Sequence, residues 1–400
     1  MFQVDPVSGR WTSQGEQLAV PALRILSAGD FCPAARTQIA EKIESGPDGI
    51  QSLYGNVMDI LCEKDLSVVN LAGPAGVALS AATIDAVLAG QFDAINLAGC
   101  DATCPAPQSL GEMIESARSA GLEVIGAGPS PSAARRPVVM DVNGMRVGLV
   151  AAGEGPPAMA AAAVNTLDPA RMVLTIGDLH GRCDLVLVYV CGGRESCPIP
   201  SPRTVRLYRS FIEAGADAVI GCGARTAGPI EFYESRPILY NLGSFAAVDS
   251  AGQVPPLWGQ SMLVRLEFKA GRLGHLQVVP AALDSPGGSI HILQSPAREE
   301  FLGRLNRLGQ IVADRQAHQR FWDACCLAHW PQTSRRLAEL TGSSESADAV
   351  ELLRFLGHPS ELDLIARSLE LTASGAGVDE DVSEQLAELL EPGAKQGQGS

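Results

Sequence analysis

Histidine, clustered basic residues and long apolar runs are scarce in this 400-residue sequence, and each shortage removes a class of function. The six histidines are scattered, so an imidazole-rich metal centre has no local seed. His180 precedes a strand, His275 lies in a late hairpin and His291 follows a Gly-Gly turn, while His318, His329 and His358 fall in a helical C-terminal region. Each is read as a surface or structural residue, because a histidine becomes functional through partners. Lys and Arg number 30 against 45 Asp and Glu, a net charge of -15. Without a cationic cluster to gather phosphates, nucleic acid is excluded as the main partner. The first residues carry neither a basic start nor a long apolar stretch, so the expectation is no signal peptide, no membrane segment and a cytoplasmic location. The ten cysteines include no Cys-x-x-Cys pair. In a reducing compartment they are expected to be thiols, with no disulfide framework among them.

What is present is a large apolar fraction, 46%, with 19% charged residues, enough to bury a full core in one large or two ordinary domains. Short runs rich in Val, Ile and Leu alternate with amphipathic stretches, the pattern of βα repetition. "ALRILSAGD", "DLSVVNLAG", "FDAINLAGCD", "CDLVLVYVCGG" and "DAVIGCGART" each read as a buried strand opening into a small-residue loop. "PVVMDVNGMRVGLVAAG" reads as a hairpin turned at Asn143 and Gly144, since Asn-Gly suits a two-residue turn. "SMLVRLEFKAGRLGHLQVVPAAL" is a second hairpin, and from about Pro296 the pattern is helical only. A parallel first half and an antiparallel second half suggest two packed sheets with helices outside. The organisation expected is an N-terminal tail at 1–21, an α/β domain at 22–295, a helical extension at 296–391 and a disordered tail at 392–400. "GAGPSPS" lacks the lysine of a P-loop and the spacing of a dinucleotide fingerprint.

The segment "GGRESCPIPSPRTVRLYRSFIEAGADAVIG" followed by "GPIEFYESRPILYNLGSF" resembles the CapA family of capsule and poly-γ-glutamate biosynthesis proteins. The likeness runs over roughly residues 24 to 280. It implies a calcineurin-like metallophosphatase fold, two packed mixed sheets flanked by helices, here with an α-helical C-terminal extension. It also implies divalent-metal ligands at strand ends, namely a Gly-Asp, a Glu, an Asn-Asn-His, a lone His and a Gly-His-His-x-His. Such ligands suit a two-metal clamp on attacking and leaving oxygens. This sequence keeps the Gly-Asp as Gly29 and Asp30 but has Ala72 for the Glu. Gly99, Cys100 and Asp101 replace the Asn-Asn-His, and Cys191 replaces the lone His. Cys222, Gly223, Ala224 and Arg225 stand in the His cluster, and Ser244 stands for a late Asn.

Two readings follow. In the first the chain is a pseudoenzyme of the metallophosphoesterase superfamily with a degenerate site and no cofactor. It then binds a small anionic ligand or a protein partner, with Arg225 and Ser244 as candidate ligand-binding residues, the guanidinium fork suiting phosphate or carboxylate. In the second, Asp30, Cys100, Asp101, Cys191 and Cys222 form a rebuilt site holding Zn or Fe, and the chain is a metal-dependent phosphoesterase or amidase. Asp30, Ala72, Cys100, Cys191 and Cys222 are expected on one rim. Cys32, Cys104 and Cys197 lie a few residues beyond such strand ends, and Cys325 and Cys326 read as core of an amphipathic helix.

Overall fold

The computed structural model describes residues 2–5, 10–13, 22–32, 38–71, 81–99, 107–155, 163–195, 197–247, 257–284, 288–343 and 345–390. The strands begin with β1 (Phe2–Asp5), β2 (Arg10–Ser13), β3 (Leu23–Cys32), β4 (Leu66–Leu71), β5 (Ala94–Asn96) and β6 (Glu123–Ile125). Next come β7 (Ala127–Gly128), β8 (Val138–Val142), β9 (Met145–Gly153), β10 (Ala163–Val164), β11 (Leu185–Cys191) and β12 (Ala218–Cys222). The last are β13 (Ile230–Tyr233), β14 (Arg236–Leu239), β15 (Ala246–Ala247), β16 (Gln260–Lys269), β17 (Arg272–Leu283) and β18 (Ile290–Ile292). One of the two large sheets has the order β1-β2-β17-β16-β3-β4-β5-β6, with β15 on β3 and β18 on β17; the other runs β13-β14-β12-β11-β9-β8, and β7 and β10 form a separate antiparallel pair.

Both large sheets are mixed, so the chain does not divide into a parallel half and an antiparallel half. The late hairpin β16–β17 joins the first sheet by pairing antiparallel to β3, while β3, β4, β5 and β6 are parallel to one another. In the second sheet β9, β11, β12 and β14 are parallel, with β8 and β13 antiparallel at the two edges. The β8–β9 turn is at Asn143 and Gly144, both at positive φ (53° and 79°), as the Asn-Gly pair predicts. Within the stretch expected as an N-terminal tail, β1 pairs with β2 and β2 pairs with β17.

Period-two alternation builds the sandwich. Leu185, Leu187 and Tyr189 of β11 face the other sheet with Ala218 and Ile220 of β12, meeting Ile25 of β3, Val68 of β4 and Val264 of β16 in one buried core. The intervening Val186, Val188 and Val190 pack under α7 (Pro169–His180) and α8 (Pro202–Glu213). The outer face of the first sheet is covered by α1 (Gln38–Glu44), α2 (Pro47–Tyr54), α3 (Met58–Cys62), α4 (Ala81–Ala89) and α5 (Pro107–Ser119). A short α6 (Pro131–Ala134) follows. Between the sheets the Ser27 and Tyr189 hydroxyls meet at 2.9 Å, which satisfies both inside an apolar layer.

The extension comprises α9 (Ala297–Ala313), α10 (Arg315–Gly342), α11 (Ser346–Leu356), α12 (Pro359–Ser374) and α13 (Glu380–Leu390). Asp314 separates α9 from α10 by capping the latter, its carboxylate accepting from the Gln316 and Ala317 N–H groups. Residues 391–400, which include the expected disordered tail, lie outside the described residues.

Candidate functional site

Ligands in α/β sheets bind beyond the carboxyl ends of parallel strands, and five inward-facing side chains meet there. β4, β5, β11 and β12 end their inward rows at Asn70, Asn96, Cys191 and Cys222, following Val68, Ala94, Tyr189 and Ile220. In β3 the inward row is Leu23, Ile25 and Ser27, and continued alternation would send Asp30 outward. A register shift between Ala28 and Asp30 reverses the parity, so Phe31 packs under the helices and Asp30 turns inward. Gly29 permits this: a Cβ there would lie 2.0 Å from the Gly243 carbonyl oxygen.

All five side chains are buried and mostly bonded to one another. Asp30 Oδ1 accepts from Asn70 Nδ2 at 2.6 Å and from the Gly223 N–H at 2.9 Å. Asn96 Nδ2 donates to Asn70 Oδ1 at 2.9 Å and lies 3.5 Å from Cys222 Sγ. The Asn96 side-chain carbonyl oxygen in turn accepts from the Ala98 N–H at 3.0 Å, and the Cys222 thiol points at the Val190 carbonyl at 3.5 Å. Cys191 fills the remaining space: a Cβ on Gly99 would come within 1.9 Å of its sulfur, and one on Gly223 within 2.6 Å.

Burial pushes the Asp30 carboxyl above the usual carboxylate range, against the opposing pull of Arg225, Asn70 and the Gly223 N–H. Burial, reinforced by the neighbouring Cys191 and Asp30, pushes the Cys222 thiol well above its ordinary value. Asp30 Oδ2 is buried and finds no hydrogen-bond partner among the described residues.

A pair of hard divalent cations wants several oxygens or imidazoles in open array. Here the described cluster supplies one carboxylate, two amides and two sulfurs, already engaged with one another and closed against glycine backbone. That donor set does not fit a two-metal centre.

The structure therefore brings together Asp30, Cys191 and Cys222 from the sequence-predicted set. Ala72, Cys100, Asp101 and Cys104 lie outside the described residues. Arg225 sits at the edge, at φ 58°; its Nε donates to Glu195 at 2.8 Å and its guanidinium stacks 4.8 Å from the Trp258 ring centroid. Ser244 is buried and donates to the Arg225 carbonyl at 3.0 Å, fixing that backbone. Asn70 and Asn96 complete the cluster. The signal that points to them is a repeat, Asn-Leu-Ala-Gly at 70–73 and again at 96–99, one copy at the end of each of two adjacent strands.

Gly223 also borders a cleft of about 500 Å³ between the strand-end loops and the extension, whose walls include Arg194, Arg336, Arg354, Glu351 and His358. The extension is held over these loops by charge. Arg194 pairs with Glu361 of α12. Arg203 of α8 bridges Glu154, at 2.6 Å, and Asp363, at 2.8 Å. Glu154 also accepts from the Gly193 N–H at 3.0 Å and from Ser360. α8 itself starts at Ser201, whose hydroxyl accepts from the Thr204 N–H at 3.1 Å and donates to Asp363 at 2.6 Å.

Comparison with known proteins places this geometry. Residues 24–248 match the family model described as bacterial capsule synthesis protein PGA_cap. The capsule biosynthesis protein CapA of Bacillus anthracis is 28% identical over 178 residues, 41% of this chain and 42% of the relative. The PGA biosynthesis protein CapA of Bacillus subtilis (strain 168) is 27% identical over 196 residues, 48% of this chain and 50% of the relative. The matched region thus spans half or less of those relatives' length. Among solved structures, a hypothetical protein from Thermus thermophilus is similar at TM-score 0.44 and 15% identity, covering 64% of this chain and 98% of that one. A 5'-nucleotidase from Candida albicans is similar at TM-score 0.39 and 7% identity, covering 73% and 58%. These structural likenesses are too distant to inform the site. The family match takes in Asp30, Asn70, Asn96, Cys191 and Cys222 and covers more than half of the chain, which belongs to the bacterial capsule synthesis protein PGA_cap family.

Proposed function

We propose that this chain is a non-catalytic member of its family, in which the strand-end cluster is a structural plug and the neighbouring cleft binds an anionic, carboxylate-bearing ligand. The observation that carries the reading is the hydrogen-bonded chain Asp30–Asn70–Asn96–Cys222, returned to Asp30 by the Gly223 N–H, with Cys191 packed against Gly99. A metal pair would have to break those bonds and strip a proton from a thiol that burial disfavours ionising. Hydrolysis by a metal-bound nucleophile has no support from such a donor set.

The cleft supports the binding half. Arg336 and Arg354 both reach Glu351, at 3.3 and 3.5 Å, and that glutamate is 43% exposed. Exposed pairs of this kind are worth about 0–1 kcal/mol, so a ligand carboxylate can compete with Glu351 for both guanidinium groups. The relatives' names tie the family to capsule and PGA biosynthesis; a poly-γ-glutamate segment is the corresponding ligand class. A second reading, a hydrolase with a single metal on Asp30 and the cysteines, draws support from the unpartnered Asp30 Oδ2.

Two assays on the full chain decide. Phosphodiester turnover with added Mn²⁺ or Mg²⁺ is expected to stay at background; turnover that disappears in Asp30→Ala favours the hydrolase. Calorimetric titration with γ-glutamate oligomers is expected to show binding that Arg336→Ala combined with Arg354→Ala weakens at least tenfold. Equal binding by that variant removes the cleft from the proposal.

A further inference from the structure

Cys325 and His329 lie four residues apart on α10, one turn along one helix face. Cys197 approaches them from the loop between β11 and α8. One ligand atom from each, the two sulfurs and an imidazole nitrogen, all fall within 4.8 Å of one another. Both cysteines are buried in the core of the extension, alongside Trp322 and Phe321. His329 Nε2 is buried as well and has no hydrogen-bond partner among the described residues.

Contrary to the expectation of free thiols, the structure joins Cys197 and Cys325 as a disulfide across 128 residues of chain, yet the Cα atoms stand 7.2 Å apart. Disulfides ordinarily span about 4.4–6.8 Å between Cα atoms, and a disulfide gives the third group, His329, nothing to do. In the reduced chain, a tetrahedral cation coordinated by both sulfurs and the imidazole accounts for all three.

We propose that Cys197, Cys325 and His329 form a Zn²⁺ site that staples α10 of the helical extension to the β11–α8 loop. Two sulfurs and one imidazole are the soft and borderline donors that zinc takes in preference to hard cations. Each thiol gives up its proton on binding, so two thiolates balance the two charges of the ion and two protons leave to solvent. Three protein ligands leave one tetrahedral position for water. The site is distinct from the strand-end cluster, sharing no residue with it, and does not depend on whether that cluster is catalytic. Since the ligands come from segments 128 residues apart, they assemble only in the folded chain, and the metal stabilises the docked extension by linkage.

The full chain, purified under reducing conditions without chelator and supplied with zinc, is expected to retain one zinc per chain after desalting. Replacement by Co²⁺ is expected to give a thiolate-to-cobalt charge-transfer band. Both signals should be lost in Cys197→Ser and in His329→Ala, whose half-buried position makes misfolding a lesser concern, and both should persist in Cys191→Ser. Failure of the reduced protein to take metal, or metal that persists in both the Cys197→Ser and His329→Ala variants, overturns the proposal. So does a linked Cys197–Cys325 peptide recovered from alkylation-quenched protein whose reduced form binds no zinc.

Discussion

Cys191 and Cys222 are register partners at the ends of neighbouring parallel strands, and Asn96 reaches Cys222 from the opposite sheet at 3.5 Å. The two sulfurs thus close the mouth of the sandwich from one side while Asp30, Asn70 and Asn96 close it from the other. This packing leads to the first expectation. Gly99→Ala should drive a methyl into the Cys191 sulfur, 1.9 Å from the ideal Cβ position, and cost about 1–3 kcal/mol as overpacking does. Adding Cys191→Ala should recover part of that loss. Denaturant unfolding of both single variants and the double variant reads the coupling; purely additive effects would show that the thiol does not fill this space.

Asp30→Asn keeps Oδ1 as an acceptor for Asn70 and Gly223 and replaces only the unpartnered Oδ2. Burial raises the folded-state carboxyl above its unfolded value, which lies at about 3.9. Between those two values the folded state keeps a proton that the unfolded state releases, so Asp30 lowers stability as pH rises through that window. The variant should therefore gain on the wild type as pH increases from about 4 toward neutrality. Urea titrations at several pH values check it. A variant that loses stability relative to wild type over this range would mean that the Asp30 charge is compensated in the folded protein.

Glu154 carries the opposite sign. Burial works against its charge, but Arg203, Ser360 and the Gly193 N–H outweigh it and hold the carboxyl below the ordinary range. Its contribution is present above the unfolded value of about 4.3 and is lost as pH falls through the folded value. Glu154→Gln should destabilise by about 1–3 kcal/mol, the cost of a broken charge-assisted network that still leaves Arg203 paired with Asp363. Loosening of α12 should show as faster hydrogen exchange there. Unchanged exchange in α12 would mean that Arg194–Glu361 and the pairing of Asp363 with Arg203 and Ser201 hold the extension without Glu154.

Much of this architecture is legible in the sequence because it is local. The Asn143–Gly144 turn and the continuous apolar runs of β11 and β12 each depend on neighbouring residues only. The strand-end positions of Asp30, Cys191 and Cys222 follow from those strands together with the family resemblance. What the sequence hides is long-range. The parity change at Ala28–Asp30 is a bulge with no composition signal of its own. Asn70 and Asn96 look like ordinary strand-end amides until the sheet sets them side by side. Nothing local links Arg203 to Asp363, or Cys197 to a Cys-x-x-x-His turn, across more than 120 residues. The assignment of the β16–β17 hairpin to the first sheet is hidden for the same reason, since pairing with β3 is decided by the whole core.

The most direct test of the central claim, that the strand-end cluster is a metal-free plug, is the metal content of this chain compared across Asp30→Asn, Cys222→Ser and His329→Ala. Metal should be unchanged from wild type in the first two variants and lost only in the third. Loss of bound metal in Asp30→Asn and Cys222→Ser, with His329→Ala still loaded, would contradict the account and make the strand-end cluster a working metal centre.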